Sequence, residues 1–121
     1  MSSAETVVDQ ARKFVGIVDT YVAKMPRDTK FTLGDRLLVR SIDVLEMVTD
    51  AYYSPREAKR PLLRRANTQI EVVRQILRLL HETGRHDLRK HEHFSRELDA
   101  IGRAVGAWSK SLAAPSAPAH T

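Results

Sequence analysis

Arginine is the residue through which this chain is best equipped to act. Lys59, Arg60, Arg64, Arg65, Arg74, Arg78 and Arg85 all lie in one stretch. Residues 54–85 carry eight basic side chains against three acidic ones, while 1–53 carry seven against eight and 86–121 five against four. The formal net charge of +5 therefore has a single source. At about 100° per residue, Arg56, Arg60, Arg64, Asn67, Glu71, Arg74, Arg78 and Arg85 fall in one helical arc roughly 80° wide. A guanidinium meets a phosphate with two hydrogen bonds and stacks on bases, which an ammonium does not. Such a strip suits nucleic acid. It equally suits the solvated side of a helix whose charges pair with acids nearby, and Asp43, Glu46 and Asp50 on the preceding segment are available for that. No aromatic is interleaved with the arginines, so base stacking is not indicated.

Other chemistry is sparse. His81, His86, His91 and His93 are four of the five histidines and lie close in sequence. His91 and His93 are two apart, which on a helix sends them to different faces. No second histidine or carboxylate stands at metalloprotease spacing, so no metal site is expected; these rings should face solvent or nucleic acid. The absence of cysteine excludes a thiol nucleophile, a thiolate metal site and a disulfide scaffold. No phosphate-cradling glycine loop and no nucleophile elbow occurs. The expectation is a protein that is not an enzyme and takes no cofactor.

The elements that must position the arginines are helices. At 121 residues the chain makes one domain, and five prolines and five glycines are too few for a turn-rich β fold. The apolar spacing predicts helices over about 4–25, 33–53, 55–83 and 88–112. Their core stripes are Val7, Ala11, Phe14, Val18, Tyr21 and Met25; Leu38, Ile42, Leu45, Thr49 and Tyr52; Leu63, Ala66, Ile70, Val73, Leu77 and Leu80; and Phe94, Leu98, Ile101, Val105, Trp108 and Leu112. Pro26 should end the first helix. Thr32 and Asp35 form a capping box for the second, with Gly34 in its first turn, and Ser54 N-caps the third with Pro55 at its first position. Pro61 either kinks the third helix or marks where its regular part begins. Gly84 should cap its end, and Asp87 the start of the fourth. Short links between such helices make an all-α, antiparallel up-down-up-down four-helix bundle over 1–112, followed by a disordered C-terminal tail over 113–121. No signal core or membrane-spanning run appears, so a cytoplasmic protein that avoids membranes is expected.

The third helix carries more apolar residues than one bundle face needs. Beside its core stripe, Leu62, Val72, Ile76 and Leu79 make a second seam, read as a contact with another copy of the chain or as the mark of the most buried helix. Gly102 and Gly106, four apart, either permit a close backbone approach or leave room for Trp108.

Four segments add a resemblance. FTLGDR (31–36), LEMVTDAYY (45–53), RRANTQIEVVRQILRLLHE (64–82) and LDAIGRAVGAWSKS (98–111) resemble the accessory variability determinant (Avd) proteins of diversity-generating retroelements, over roughly residues 7–111. Pro61, with Pro55, and the PSAPAHT end depart from that pattern. A broader set of small bundle proteins, including those encoded in ribosomal RNA intervening sequences, shares the fold. The resemblance implies a four-helix bundle assembling into a barrel-like homopentamer. It also implies a retroelement reverse transcriptase as partner, RNA and also DNA or an RNA/DNA hybrid bound through a basic surface, and support of mutagenic reverse transcription. On this sequence the phosphate contacts fall to Lys59, Arg60, Arg64, Arg65, Arg74, Arg78 and Arg85. The alternative is an orphan bundle that serves as a protein-interaction scaffold without nucleic acid.

Overall fold

The computed structural model describes residues 2–113. The tail expected over 113–121 lies outside them, apart from Ala113. Four long helices dominate: α1 Ser3–Ala23, α2 Asp35–Tyr53, α3 Arg56–Glu82 and α4 Leu88–Ala113. They form an all-α bundle with no strand among the described residues. Each helix packs on the next in sequence, and α4 closes against α1. The ends meet as an up-down-up-down path requires. Tyr21, near the end of α1, touches His86 in the α3–α4 turn, and Arg56 at the start of α3 reaches Leu112 at the end of α4.

Local chemistry sets most of the boundaries. Ser2 and Glu5 cap α1 reciprocally, each side chain meeting the other's backbone N–H at 3.1 Å. Gly84 has φ +72°, which an L side chain resists, and it ends α3: its N–H donates to His81 O and that of Arg85 to Leu80 O. Asp87 accepts from the backbone of Lys90 at 2.9 Å and starts α4. Two expected caps are absent. Ser54 does not cap α3; its hydroxyl turns back and donates to Asp50 O at 2.6 Å, and Pro55 stands at the N-cap. Pro61 sits inside a continuous α3, where its missing N–H deprives only the Glu57 carbonyl, near the solvated first turns.

The link between α1 and α2 also departs from expectation. Pro26 starts a helical turn, Arg27–Thr29, which runs into a π-helical segment, Lys30–Gly34, and on into α2. Thr32 therefore caps nothing; its hydroxyl donates to Asp28 O at 2.7 Å. Thr29 and Gly34, five apart, are both buried, as the wider π turn allows. A Cβ on Gly34 would lie 2.8 Å from Met25 Sδ, 3.0 Å from Thr29 O and 3.2 Å from Val22 Cγ1. The close approach, rather than a flexible helix start, requires this glycine.

Buried residues show which faces turn inward. In α3 they are Leu63, Ala66, Ile70, Val73, Ile76, Leu77 and Leu80, and in α4 Phe94, Leu98, Ile101, Val105 and Trp108. In α1 Val22 takes the core position expected for Tyr21, which is half-buried. The stripe of α2 is corrected by one residue: Leu37, Ser41, Val44, Val48 and Ala51 face inward. Leu38, Leu45, Thr49 and Tyr52 are half-buried, and Ile42 is exposed. Ser41 and Ala51 are small enough to let α2 lie close to its neighbours, and Ser41 satisfies its hydroxyl on Leu37 O at 2.7 Å.

Replacing Gly34 by alanine should lower stability by about 1–3 kcal/mol through overpacking. Gly16 is also helical, but a Cβ there would meet nothing within 4 Å. Gly16→Ala should therefore raise stability by roughly 0.5–1 kcal/mol. Thermal melts followed by circular dichroism compare the two; equal melting temperatures would show that the π turn relaxes around a methyl group.

Candidate nucleic-acid interface

The α3 helix divides its circumference between core and cation. Arg60, Arg64 and Arg78 are exposed on one flank of the buried stripe and make no ion pair among the described residues. Arg60 and Arg78 are eighteen residues apart, about 27 Å along the axis. None of Asp43, Glu46 and Asp50 pairs with an α3 arginine: Asp43 pairs with Arg40 of its own helix at 3.3 Å. The acids of α2 thus leave the strip unneutralised.

The other four sequence-derived cations stand apart from this exposed, unpaired set. Lys59 is half-buried. Its Nζ donates to Ala51 O at 2.8 Å and Tyr52 O at 3.1 Å, and it lies 5.9 Å from the Trp108 ring centre. It thereby ties the start of α3 to carbonyls at the end of α2. Arg74 is half-buried between Glu71, at 3.3 Å, and Asp99 of α4, to which its Nη1 also donates. Burial works against its charge, but the hydrogen bonds it donates to Asp99 and Glu71 outweigh that and hold its pKa above the ordinary arginine value. It ties α3 to α4. Arg65 is exposed about 140° around the helix from Arg60. Arg85 is exposed past the Gly84 turn, so the helical arc does not extend to it. The exposed arginines of that flank are therefore Arg60, Arg64 and Arg78, with Arg85 beyond the helix end and Arg65 on the other side.

The second seam of α3 is largely used within the chain. Ile76 is buried at 8% exposure, and Leu62 and Val72 pack half-buried on the core, which leaves Leu79 exposed at 45%. Gly102 and Gly106 are uncrowded: a Cβ on Gly102 would sit 3.9 Å from Ile70 Cγ2, and one on Gly106 would meet nothing within 4 Å. Room for Trp108 inside the chain does not explain them.

Three of the four histidines gather instead of facing solvent, and His93 lies apart against Phe94. The rings of His81 and His91 stack with centroids 4.8 Å apart, and His86 lies against both. His86 Nδ1 is 3.1 Å from the Tyr21 hydroxyl, and its Nε2 is 3.4 Å from His91 Nδ1. The turn at Gly84–Asp87 folds α4 back on α3, so residues equally far from His86 on either side become neighbours. Helical periodicity read within one element cannot show that. Among the described residues no group of three or more histidines or carboxylates is placed to hold a metal ion.

Burial pushes the pKa of His86 down to about 4, with help from His91 and His81. Tyr21 faces it from α1, His81 from α3, and His91 and Asp87 from the α4 side, so its one acidic neighbour only partly offsets the effect. Between pH 6.5 and about 4 the unfolded chain binds a proton that the folded chain refuses. Stability is thus complete above that window and is lost as pH falls through it, by up to about 3 kcal/mol. Urea unfolding at pH 7.5 and pH 4.5 measures this. His86→Phe should flatten the difference, and an unchanged slope in that variant would place the proton uptake elsewhere.

A profile of the bAvd-like family matches residues 6–112 of the chain. Among curated proteins none matches significantly. In fold the chain is similar to the crystal structure of a protein of unknown function from the S23 ribosomal protein family of Bacteroides thetaiotaomicron VPI-5482. The two superpose with a TM-score of 0.84 at 15% identity, over 90% of this chain and 99% of that one. That likeness concerns the fold, since so low an identity carries no side-chain chemistry. The family match spans all four helices, including the π turn and the arginine strip, and on that ground the chain belongs to the bAvd-like family.

Proposed function

We propose that this protein is a non-enzymatic accessory subunit of a diversity-generating retroelement. It acts in the cytoplasm as a homo-oligomer, a pentamer, and binds the reverse transcriptase together with template RNA or cDNA. The observation that carries this reading is the unpaired strip Arg60, Arg64 and Arg78 on α3 in a chain of the bAvd-like family. Three guanidiniums per chain are a modest anion site, and a ring repeats them around its axis. The strip runs about 27 Å along the helix, long enough to follow several phosphates. Its readout is of backbone charge, because no exposed aromatic stands between the arginines. No helix among the described residues is long and apolar enough to cross a membrane.

Mobility shifts of a structured RNA should give binding that weakens steeply with salt, as counterion release demands. Reversing Arg60, Arg64 and Arg78 to glutamate should abolish the shift while leaving the fold intact. Each single reversal should lower the salt slope by roughly 0.7–0.9. Arg74→Gln should act differently, lowering stability through the lost Asp99 pair more than it lowers affinity. A protein that shifts no RNA even at low salt would instead be a protein-binding scaffold.

A further inference from the structure

Two surfaces away from the arginine strip match each other. One is a groove between α1 and α4, the adjacent helices that pack least closely. Its cavity of about 710 Å³ has Ile17, Tyr21 and Phe94 in its floor and is rimmed by Lys13, Lys24 and Lys90. Glu97 is its acidic lining residue. Gly16 lines it with space to spare, since a Cβ there would meet nothing within 4 Å. The floor is preset: Tyr21 is held by His86 at 3.1 Å and lies under Lys90 Nζ, 5.5 Å from the ring centre. Lys13 shares Asp9 at 3.1 Å, whereas Lys24 and Lys90 make no ion pair among the described residues.

The other surface is the outer face of α2. Val39 at 41% and Ile42 at 36% exposure stand on it with Glu46 and Asp50 exposed beside them. These four residues follow helical spacing opposite the buried stripe of Leu37, Val44 and Val48. From Val39 to Asp50 is eleven residues, as from Lys13 to Lys24, so each surface runs about 16 Å, three helical turns. One presents apolar side chains with acids; the other presents an apolar trough with lysines.

We propose that the outer face of α2 of one copy docks into the α1–α4 groove of the next. Val39 and Ile42 enter the trough, and Glu46 and Asp50 meet the free ammonium groups of Lys24 and Lys90. A contact between two different faces of identical chains is head-to-tail, and such contacts close into rings when the rotation per copy permits. The contact leaves Arg60, Arg64 and Arg78 uncovered, because they lie on the outside of α3. The proposal rests on the oligomer put forward above and assigns the faces that form it.

Two blocking variants test it. Gly16→Leu fills the groove at a position with free space, and Ile42→Glu spoils the inserted face at an exposed one. Sedimentation velocity should show each variant alone as a monomer, with helical circular dichroism and melting temperature retained. Mixed together they should form one-to-one dimers, because each still carries one intact face. Lys24→Glu with Lys90→Glu should also dissociate the assembly, and adding Glu46→Lys with Asp50→Lys should restore it at least roughly tenfold in affinity. An assembly that survives both blocking variants would overturn these faces while leaving the oligomer standing. Blocked variants that do not pair when mixed overturn the head-to-tail arrangement. A monomeric wild-type chain would remove the oligomer itself.

Discussion

The backbone of Gly34 lies so close to the end of α1 that Met25, Val22 and Thr29 leave no space for a Cβ. Much of the molecule depends on that approach. It widens the chain into a π turn over Lys30–Gly34, because burying both Thr29 and Gly34 requires a five-residue step. The π turn in turn sets how α2 is rotated about its own axis. With this rotation Leu37, Ser41, Val44, Val48 and Ala51 meet α1 and α3, and Val39 and Ile42 are left outside. The FTLGDR segment is therefore a device for phasing a helix against its neighbours.

Within that frame α3 is the helix with least freedom. Seven of its side chains are buried, and they hold contacts with both α2 and α4. Two cations help to close the same joints: Lys59 by hydrogen bonding the last carbonyls of α2, Arg74 by its pair with Asp99. The arginines left over, Arg60, Arg64 and Arg78, are thereby fixed on a rigid rod at a constant angle to the core. A charged strip on such a rod keeps its spacing in solution, which suits repeated phosphates better than lysines on a loop would. The same rigidity places His86 at the fold of the hairpin, where it is dry enough to resist protonation.

Some of this is legible in the sequence. On α3 and α4 apolar residues occupy one face densely, so the stripes from Leu63 to Leu80 and from Phe94 to Trp108 can be phased without knowing a neighbour. Gly84 and Asp87 act through their own backbone surroundings and read equally well. On α2 two adjacent stripes compete. Leu38, Ile42 and Leu45 are bulkier, yet Ser41 and Ala51 go inward because close helix packing favours small groups over hydrophobicity alone. Lys59 and Lys24 cannot be told apart by type or pattern, although one is half-buried on carbonyls and the other lies at the edge of a groove.

By itself the sequence determined what depends on short-range physics: helices from periodicity, their ends from capping residues, the bundle from short links, and the concentration of positive charge on α3. The tertiary structure decided which cations remain free, which stripe of α2 faces inward, and that His81, His86 and His91 converge at the α3–α4 turn, with His86 on Tyr21. Those outcomes turn on distances between residues far apart in the chain, such as Arg74 to Asp99, Gly34 to Met25 and His86 to Tyr21. A one-dimensional pattern records the faces of a helix but not what each face will meet, and it is that meeting which sets burial and charge pairing.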